Sequence, residues 1–349
     1  MKMNSILYYG PNNVKYEQVD VPEINDSEVL VKIDTALTCG TDIKTYKRGH
    51  PVLIKRIPSG FGHEFSGTIA AVGKNVKGFK EGDRVVAANS APCGKCYYCR
   101  IGEYNLCENI EFLNGAFAEY IKIPERIVNC NLHKIDDSVS FEQAAFVEPL
   151  ANVVHGAERT PILPGMYVGV VGLGPIGLMF ARMAKLKGAI VIGAGRNPLK
   201  LKLAKEFALC DHVIDLTKTD TPELEFRELT PYKKGLDIAI EAVGLPEIWE
   251  RMFTLTRKGG VVHLFGGCKA GSKVQIDTRR LHYDEIRVMS VFHHTPFFVK
   301  ESLRLITEKK LEVEKLITHR MKIQQIDEAI KLHDAGKAIK IAFKLNSPD

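Results

Sequence analysis

The chain has 349 residues, which is long enough for two domains of ordinary size, each with its own core. It is 45% hydrophobic and 26% charged, it has no apolar run as long as a membrane span, and its first residues lack the apolar core of a signal peptide. The net charge of +6 comes from basic residues that are spread along the chain. We therefore expect a cytoplasmic globular protein with no membrane partner and no nucleic-acid partner.

Short runs of alternating apolar and polar residues dominate the first third of the chain. Examples are Val29 to Asp34 and Gly67 to Val72, and Gly, Pro and Asn interrupt such runs repeatedly. The alternation predicts β-strands in a domain that is rich in loops.

From about position 141 the pattern changes to apolar strands that alternate with helical stretches. The predicted strands are Tyr167 to Val171, Ile190 to Ala194, Leu236 to Ala242 and Gly260 to Phe265, and the predicted helices are Ile176 to Lys187 and Leu199 to Ala208. Such alternation indicates βαβ units and a parallel sheet. After about residue 290 mixed segments return, with predicted helices at Val299 to Glu308 and Ile326 to Ala335 and a closing strand at Ile339 to Leu345.

A cysteine-rich loop predicts a structural metal site. Its four thiols belong to Cys93, Cys96, Cys99 and Cys107. Thiols this close in sequence are poorly placed to pair as disulfides, whereas four thiolates close a tetrahedral zinc site with no open position for chemistry. An iron–sulfur cluster is the alternative, but the long last gap and the lack of a proline after Cys107 fit ferredoxin spacing poorly. We expect one structural zinc ion here; the remaining cysteines are scattered, which favours a reducing compartment.

A glycine-rich turn between a predicted strand and a predicted helix indicates a dinucleotide site. The strand that ends at Val171 runs into the segment Gly172, Leu173, Gly174, Pro175, Ile176 and Gly177. Gly172 would allow the tight turn, Gly174 would let the backbone approach a pyrophosphate, and Gly177 would let the helix pack closely on the sheet. With Pro175 and Ile176, these glycines would bind the pyrophosphate at the N-terminus of the helix. A plain tight turn in an α/β core is the alternative.

The end of the next predicted strand bears on the choice between NAD and NADP. An acidic residue at this place would bind the ribose 2′-hydroxyl of NAD, but the segment reads Ala194, Gly195, Arg196 and Asn197. Gly195 leaves space and exerts no repulsion on a phosphate, and Arg196 offers a bidentate donor. NADP is therefore favoured over NAD. Alternatively, Arg196 is a solvated loop residue and both cofactors are accepted.

Two further segments carry a family resemblance. They are Cys39-Gly40-Thr41-Asp42 and Gly62-His63-Glu64, the latter followed by Gly67, Gly73 and Val76. Together with the cysteine loop, they resemble the zinc-containing medium-chain dehydrogenases over essentially the whole chain. The resemblance implies a fold of class α/β plus β, in which residues 1–150 and 291–349 form a GroES-like β-rich catalytic domain. A Rossmann domain, with a doubly wound parallel sheet, would be inserted at residues 151–290.

The resemblance also implies a second, open metal site. Cys39 and His63 match the family's catalytic zinc ligands, and Glu64 matches the carboxylate beside them. Where alcohol dehydrogenases have a cysteine as a third ligand, this chain has Glu148, as polyol and threonine dehydrogenases do. A thiolate, an imidazole and one or two carboxylates leave a position for water or a substrate oxygen. Whether Glu64 or Glu148 binds zinc directly or through water stays open, and another divalent ion is an alternative.

Thr41 and Lys44 are the candidate residues for proton transfer. Thr41 matches the family's hydroxyl that passes on the alcohol proton, since a threonine oxygen can donate and accept at once. Lys44 stands where the family usually has a histidine. It would relay protons if desolvated, bind an anionic substrate, or simply be solvated.

Two features bear on the substrate. The segment between Cys39 and His63 is basic, and it would either hold a phosphate near the metal or, as we favour, face water. Its basic residues are Lys44, Lys47, Arg48, His50, Lys55 and Arg56. Phe292 and His293 fall where similar polyol dehydrogenases place aromatic and basic groups over the substrate cleft. Interface or supporting roles are equally compatible with these two residues.

The main hypothesis is a zinc-dependent, NADP-preferring dehydrogenase that acts on a secondary hydroxyl of a polyol, sugar alcohol or cyclitol. An L-threonine-type dehydrogenase and a sugar-alcohol-phosphate dehydrogenase are the enzymatic alternatives. A protein that has lost the chemistry and only binds a nucleotide or a partner is a further alternative, but the complete set of candidate residues argues against it. Relatives with this ligand pattern are commonly homotetramers, so a homo-oligomer is expected.

Overall fold

The computed structural model describes residues 1–345. The chain divides into two compact units, one formed by Met1–Ala151 together with the chain from His294 onward, and the other by Asn152–His293. Within the described residues, no helix is both long enough and apolar enough to cross a membrane.

The secondary structure elements are numbered in chain order. The strands are β1 Lys2–Gly10, β2 Asn13–Asp20, β3 Val29–Leu37, β4 Ser59–Gly60, β5 Glu64–Val72, β6 Arg84–Ala87, β7 Ser90–Ala91, β8 Glu111–Phe112, β9 Tyr120–Ile123, β10 Leu132–Lys134, β11 Tyr167–Val171, β12 Ile190–Gly195, β13 His212–Asp215, β14 Leu236–Glu241, β15 Thr256–Leu264, β16 Arg287–Met289, β17 Ile317–Met321 and β18 Lys340–Lys344. The α-helices are α1 Gly40–Arg48, α2 Tyr97–Arg100, α3 Glu125–Asn131, α4 Phe141–Ala144, α5 Val147–Arg159, α6 Pro175–Leu186, α7 Pro198–Glu206, α8 Pro222–Glu228, α9 Pro246–Leu255, α10 Thr278–Tyr283, α11 Pro296–Thr307 and α12 Ile326–Asp334. Short 3-10 helices span Tyr104–Leu106, Pro231–Lys233, Val313–Leu316 and Ile323–Gln325.

The first unit is built mainly from antiparallel strands. Its largest sheet has the order β10-β6-β5-β3-β18-β17, with β9 also paired to β3, and two smaller sheets have the orders β2-β1-β4 and β7-β8. Along β3, the buried residues Val29, Val31 and Ile33 alternate with more accessible ones such as Lys32. Because successive side chains of a strand point to opposite faces, this alternation buries one face of β3 in the unit's apolar core.

The register of β3 with its neighbours determines which residues meet at one edge of this sheet. Leu37, at the end of β3, pairs with Glu64, at the start of β5. On the other side of β3, Leu37 pairs with Ala342 of β18. The residues that follow β3, precede β5 and begin β18 therefore lie close together.

The second unit is a parallel sheet with the order β13-β12-β11-β14-β15-β16. All five strand pairings are parallel. Almost all of β11 is buried, as expected for an apolar strand in the middle of a parallel sheet. The strand order reverses direction at β11, and sheets of this doubly wound type bind ligands at the carboxyl ends of the strands beside that point.

The elements predicted from the sequence are confirmed, with shifts at their ends. Helix α11 begins at Pro296 rather than Val299, because a proline at the first helical position has a suitable fixed φ and needs no hydrogen-bond partner for its nitrogen. The closing strand is limited to Lys340–Lys344. Strand β5 begins at Glu64 rather than Gly67, so that a candidate metal ligand lies on the strand itself.

Candidate metal centres and cofactor pocket

Cys39, His63 and Glu64 form a compact group of potential metal ligands. One ligand atom from each side chain lies within 4.8 Å of the others. Cys39 is the N-cap of α1, and His63 directly precedes β5. The pairing of Leu37 with Glu64 between β3 and β5 brings these two chain segments together. The spacing suits a single metal ion that binds a thiolate, an imidazole and a carboxylate.

Asp42 links two members of this group. Its Oδ2 accepts a hydrogen bond of 2.8 Å from the backbone N–H of Cys39, and its Oδ1 lies 2.9 Å from Nδ1 of His63. A carboxylate on Nδ1 orients the ring and leaves Nε2 for a metal. Burial lowers the pKa of His63, but the charges of Asp42 and Cys39 outweigh it and raise this pKa well above its ordinary value. Asp42 belongs to the Cys39-Gly40-Thr41-Asp42 motif, but its contacts with Cys39 and His63 depend on the tertiary structure.

Glu64 is fully buried and only half of its carboxylate has a partner. Its Oε2 is bonded to Nζ of Lys340, whereas its Oε1 has no hydrogen-bond partner within residues 1–345. Burial raises the pKa of Glu64 to about 7, although the ammonium group of Lys340 opposes this shift. A buried carboxylate oxygen without a partner is costly, unless a cation binds it. The donor set therefore fits a divalent metal ion.

Glu148, the other predicted carboxylate ligand, lies near this group but is not a member of it. It is on α5, and its negative charge is one of the causes that raise the pKa of Glu64. Its Oε1 is 3.9 Å from Nε2 of His294, and the same nitrogen is 3.4 Å from Oδ1 of Asn89. Direct metal binding by Glu148 stays a prediction. The contact of Asn89 with this region was missed from the sequence, since this residue is remote along the chain.

The residues predicted for proton transfer lie on α1, which begins at Cys39. The backbone N–H of Thr41 points at Sγ of Cys39, at 3.5 Å. Thr41 is half-buried and Lys44 is exposed. Further along the basic segment, Lys47 is paired with Asp334 at 2.5 Å, and Nδ1 of His50 accepts a backbone N–H from Leu53 at 3.1 Å.

The cysteine loop gathers its thiols as predicted. The sulfur atoms of Cys93, Cys96, Cys99 and Cys107 all lie within 4.8 Å of one another. The short strands β7 and β8 pair at the base of the loop. Backbone N–H groups donate to the sulfurs, as from Cys96 to Cys93 at 3.4 Å, and such bonds lower the pKa of Cys93 to about 6. Groups that stabilise thiolates favour metal binding, because the thiolate is the ligand.

The Cys96→Ser variant is expected to lose the metal of this loop and to melt at a lower temperature, without a change in cofactor preference. Binding energy at a structural zinc site is folding energy, and each kcal/mol lost lowers the melting temperature of a domain of this size by roughly 2–4 °C. Differential scanning calorimetry and metal analysis measure both effects. Cys130→Ser is the matched control, since Cys130 is in neither cysteine-containing group. An unchanged melting curve for Cys96→Ser, or after chelation, would contradict the structural role.

The turn between β11 and α6 has the geometry expected of a dinucleotide site. Gly172 has a φ of +99°, which favours glycine. A Cβ on Gly177 would lie 1.8 Å from the carbonyl oxygen of Gly172, so the helix could not pack this closely with any other residue. A Cβ on Gly174 would meet nothing within 4 Å, which leaves room for a pyrophosphate. Pro175 follows as the first residue of α6.

A cavity of about 670 Å³ adjoins this turn in the second unit. Its lining includes Gly172, Gly174, Gly195 and Arg196, which the sequence assigned to the cofactor. The lining also includes Lys200 on α7, whose pKa is lowered by burial. Lys200 was not predicted, although it lies only four residues after Arg196 and near the start of α7, a proximity that could have identified it. The cavity has mixed charge, because the acidic residues Asp220 and Glu247 line it too.

Phe292 and His293, the predicted substrate contacts, lie at the end of the second unit. Phe292 is 62% exposed. His293 has a φ of +60°, and its carbonyl oxygen is 2.7 Å from Nδ1 of His155. A substrate role for either residue stays a prediction.

Known proteins resemble this chain along both units. Residues 25–136 match the alcohol dehydrogenase GroES-like domain, and residues 175–308 match the zinc-binding dehydrogenase domain. The chain is 32% identical to a sorbitol dehydrogenase of Bacillus subtilis, over 94% of this chain and 93% of that protein. It is 34% identical to an L-threonine 3-dehydrogenase of Symbiobacterium thermophilum, over 97% and 95%.

A solved structure extends the likeness to the fold. The crystal structure of a Sinorhizobium meliloti protein, described as a zinc-binding dehydrogenase bound to NADP, matches with a TM-score of 0.90 and 28% identity over 99% of both chains. The GroES-like and Rossmann folds that the resemblance implied are therefore confirmed. Together with the metal-ligand groups and the dinucleotide turn, these matches show that the chain belongs to the zinc-containing medium-chain dehydrogenase family.

Proposed function

We propose that this protein is a zinc-dependent dehydrogenase that oxidises a secondary hydroxyl of a polyol, sugar alcohol or cyclitol and prefers NADP. The observation that carries the proposal is the group of Cys39, His63 and Glu64, with a buried carboxylate oxygen that has no hydrogen-bond partner in the part of the chain that the structure describes. The complete dinucleotide turn supports it, and so does the likeness to a sorbitol dehydrogenase.

The residues of this chain take separate parts in the reaction. A bound zinc ion supplies Lewis-acid polarisation of the substrate hydroxyl, and a bound nicotinamide supplies the hydride acceptor. Cys39 and His63 hold the metal, with Glu64 or Glu148 completing the set, and Asp42 orients His63. Thr41 accepts the proton of the alcohol and passes its own proton on, because its hydroxyl can do both. A second zinc ion, held by the cysteine loop, stabilises the fold.

The preference for NADP rests on the charge of the cavity in the second unit. Gly195, at the end of β12, offers no carboxylate for a ribose 2′-hydroxyl. Arg196 and Lys200 add two cations to the same lining, and an arginine binds a phosphate through two parallel hydrogen bonds. The pyrophosphate, which joins the two nucleosides of the cofactor, binds at the N-terminus of α6.

Two alternative substrates have specific support. Lys44, Arg48, Lys55 and Arg56 are exposed, and within residues 1–345 no carboxylate pairs with them, so they are available to a phosphate ester. The likeness to an L-threonine 3-dehydrogenase supports the amino acid. Phe292 and His293 are the proposed contacts of an uncharged polyol. A cytoplasmic location and a homotetramer complete the proposal, on the grounds of cysteine usage and family resemblance.

Formation of NADPH, followed by absorbance, tests the proposal. Zinc-loaded protein is incubated with NADP⁺ and, in separate reactions, free polyols, cyclitols, their phosphate esters and L-threonine. We expect turnover of an uncharged polyol or cyclitol, faster with NADP⁺ than with NAD⁺, and none after the metal is removed. Exclusive turnover of phosphate esters would assign the exposed cations to the substrate instead. Turnover of L-threonine alone, or of nothing in the panel, would contradict the proposed substrate class.

A further inference from the structure

Lys340 is a lysine buried in the first unit, beside the candidate metal ligands. Only 1% of the residue is exposed. It begins β18, and the antiparallel pairing of Ala342 with Leu37 places Lys340 next to the chain that leaves β3 toward Cys39. The backbone confirms this proximity, since Thr38 N–H donates to the carbonyl oxygen of Ile341 at 3.0 Å. A lysine is almost never buried this completely unless its charge is balanced.

The partner of Lys340 is Glu64, which is itself fully buried. Nζ bonds to Oε2 of Glu64 and lies 5.8 Å from the centre of the Phe146 ring. The ammonium group thus engages one carboxylate oxygen, while Oε1 keeps no partner among the described residues. Since a carboxylate is planar, holding Oε2 also restricts the direction in which Oε1 can point.

We propose that Lys340 is a positioning residue of the metal centre, which holds the Glu64 carboxylate so that Oε1 alone is offered to the metal. This inference rests on the proposed function, because it requires a metal at Cys39, His63 and Glu64. A neighbouring cation would by itself weaken the binding of a metal ion, whereas correct placement of a ligand strengthens it. Removal of Lys340 would therefore lower the dissociation constant of the metal if charge repulsion dominates. It would raise that constant if placement of the Glu64 carboxylate dominates.

Cobalt substitution provides the test, since the visible absorption of Co²⁺ reports the number and kind of its ligands. Subtracting the spectrum of the Co²⁺-loaded Cys39→Ser variant removes the contribution of the cysteine loop. We expect Lys340→Met to change the remaining bands and to raise the dissociation constant for Co²⁺, measured against a chelator, by about 10- to 100-fold. Lys340→Arg keeps the positive charge and should change the bands less.

A double-mutant cycle shows whether Lys340 acts through Glu64. When Glu64→Gln is already present, adding Lys340→Met should not raise the dissociation constant beyond about twofold, because no Glu64 carboxylate remains to be positioned. Loss of the neighbouring positive charge acts in the opposite direction and lowers it. The inference is overturned if Lys340→Met tightens Co²⁺ binding, leaves the bands unchanged, or has an equal effect with Gln at position 64.

Two controls separate the possible failures. If Lys340→Met does not fold, as judged by circular dichroism and NADPH binding, the double variant without the buried charges is compared with Glu64→Gln alone. A dissociation constant raised more than about twofold in the double variant overturns the inference. If the unaltered protein shows no Co²⁺ band that depends on Cys39, the proposed metal centre itself fails. A normal Cys39-dependent band with no response to Lys340 rejects only the role of Lys340.

Discussion

The Cys39→Ala variant is expected to lose turnover by about a thousandfold or more while it still binds NADPH. Cys39 is one of three side chains whose ligand atoms converge within 4.8 Å, so its loss leaves His63 and Glu64 as the remaining members of that group. Metal catalysis supplies several kcal/mol of transition-state stabilisation, and each 1.36 kcal/mol corresponds to a factor of ten in rate. Steady-state kinetics measures the loss of turnover, and NADPH fluorescence measures cofactor binding.

Cys130→Ala is the matched control for this prediction. Cys130 belongs to the same unit, but its thiol donates to the carbonyl oxygen of Arg126 at 3.1 Å and is in neither of the cysteine-containing groups of candidate ligands. This control should keep most of the turnover and its full metal content. Turnover that survives in Cys39→Ala would rule out the proposed metal-dependent reaction.

Arg196→Ala is expected to weaken NADPH binding by about 10- to 100-fold and to leave NADH binding nearly unchanged. Arg196 lines the cavity beside the dinucleotide turn, and a hydrogen bond to a charged group contributes about 1.5–3 kcal/mol. Only NADPH carries the 2′-phosphate that would lose this contact. Lys200 remains in the lining of the variant, so some preference for NADPH should persist.

Addition of Gly195→Asp to Arg196→Ala should reverse the preference toward NAD. A carboxylate at the end of β12 accepts a hydrogen bond from the ribose 2′-hydroxyl and repels a 2′-phosphate. The new Cβ would lie 3.2 Å from Cδ1 of Leu173, so the leucine side chain must shift slightly, and a melting curve should accompany the kinetics. Arg287→Ala, on exposed β16 and outside the cavity lining, is the control. An unchanged ratio of kcat/KM for the two cofactors would refute the assignment of the phosphate site.

Features that are local in sequence were predictable. The turn from Gly172 to Gly177 requires residues without a Cβ at fixed intervals, so the spacing of the glycines alone predicts a dinucleotide-binding turn. The four cysteines of the loop from Cys93 to Cys107 are also close in sequence, and the structure gathers their sulfurs within 4.8 Å. The alternation of apolar strands with helices predicted the parallel sheet for the same reason, because each βαβ unit is formed by neighbouring segments.

The surroundings of the metal ligands could not be predicted in this way. Asp42 contacts both Cys39 and His63 because β3 and β5 end side by side, and no pattern within the motif reveals that contact. Lys340 and Glu64 are separated by 276 residues in sequence and meet through the pairing of β18 and β5 with β3. Both Glu64 and Glu148 were predicted as candidate ligands from family resemblance, and the structure groups Glu64 with Cys39 and His63, while direct metal binding by Glu148 stays a prediction.

The sequence by itself therefore determined the order of the elements, the dinucleotide turn, the cysteine loop and the identities of the candidate ligands. The tertiary structure alone decided which carboxylate lies with Cys39 and His63, which oxygen of Glu64 is left without a partner, and which lysine balances its charge. The physical reason is that turn geometry and short-range spacing depend on neighbouring residues. The environment of a buried charge depends instead on strand register, which joins segments that are distant along the chain.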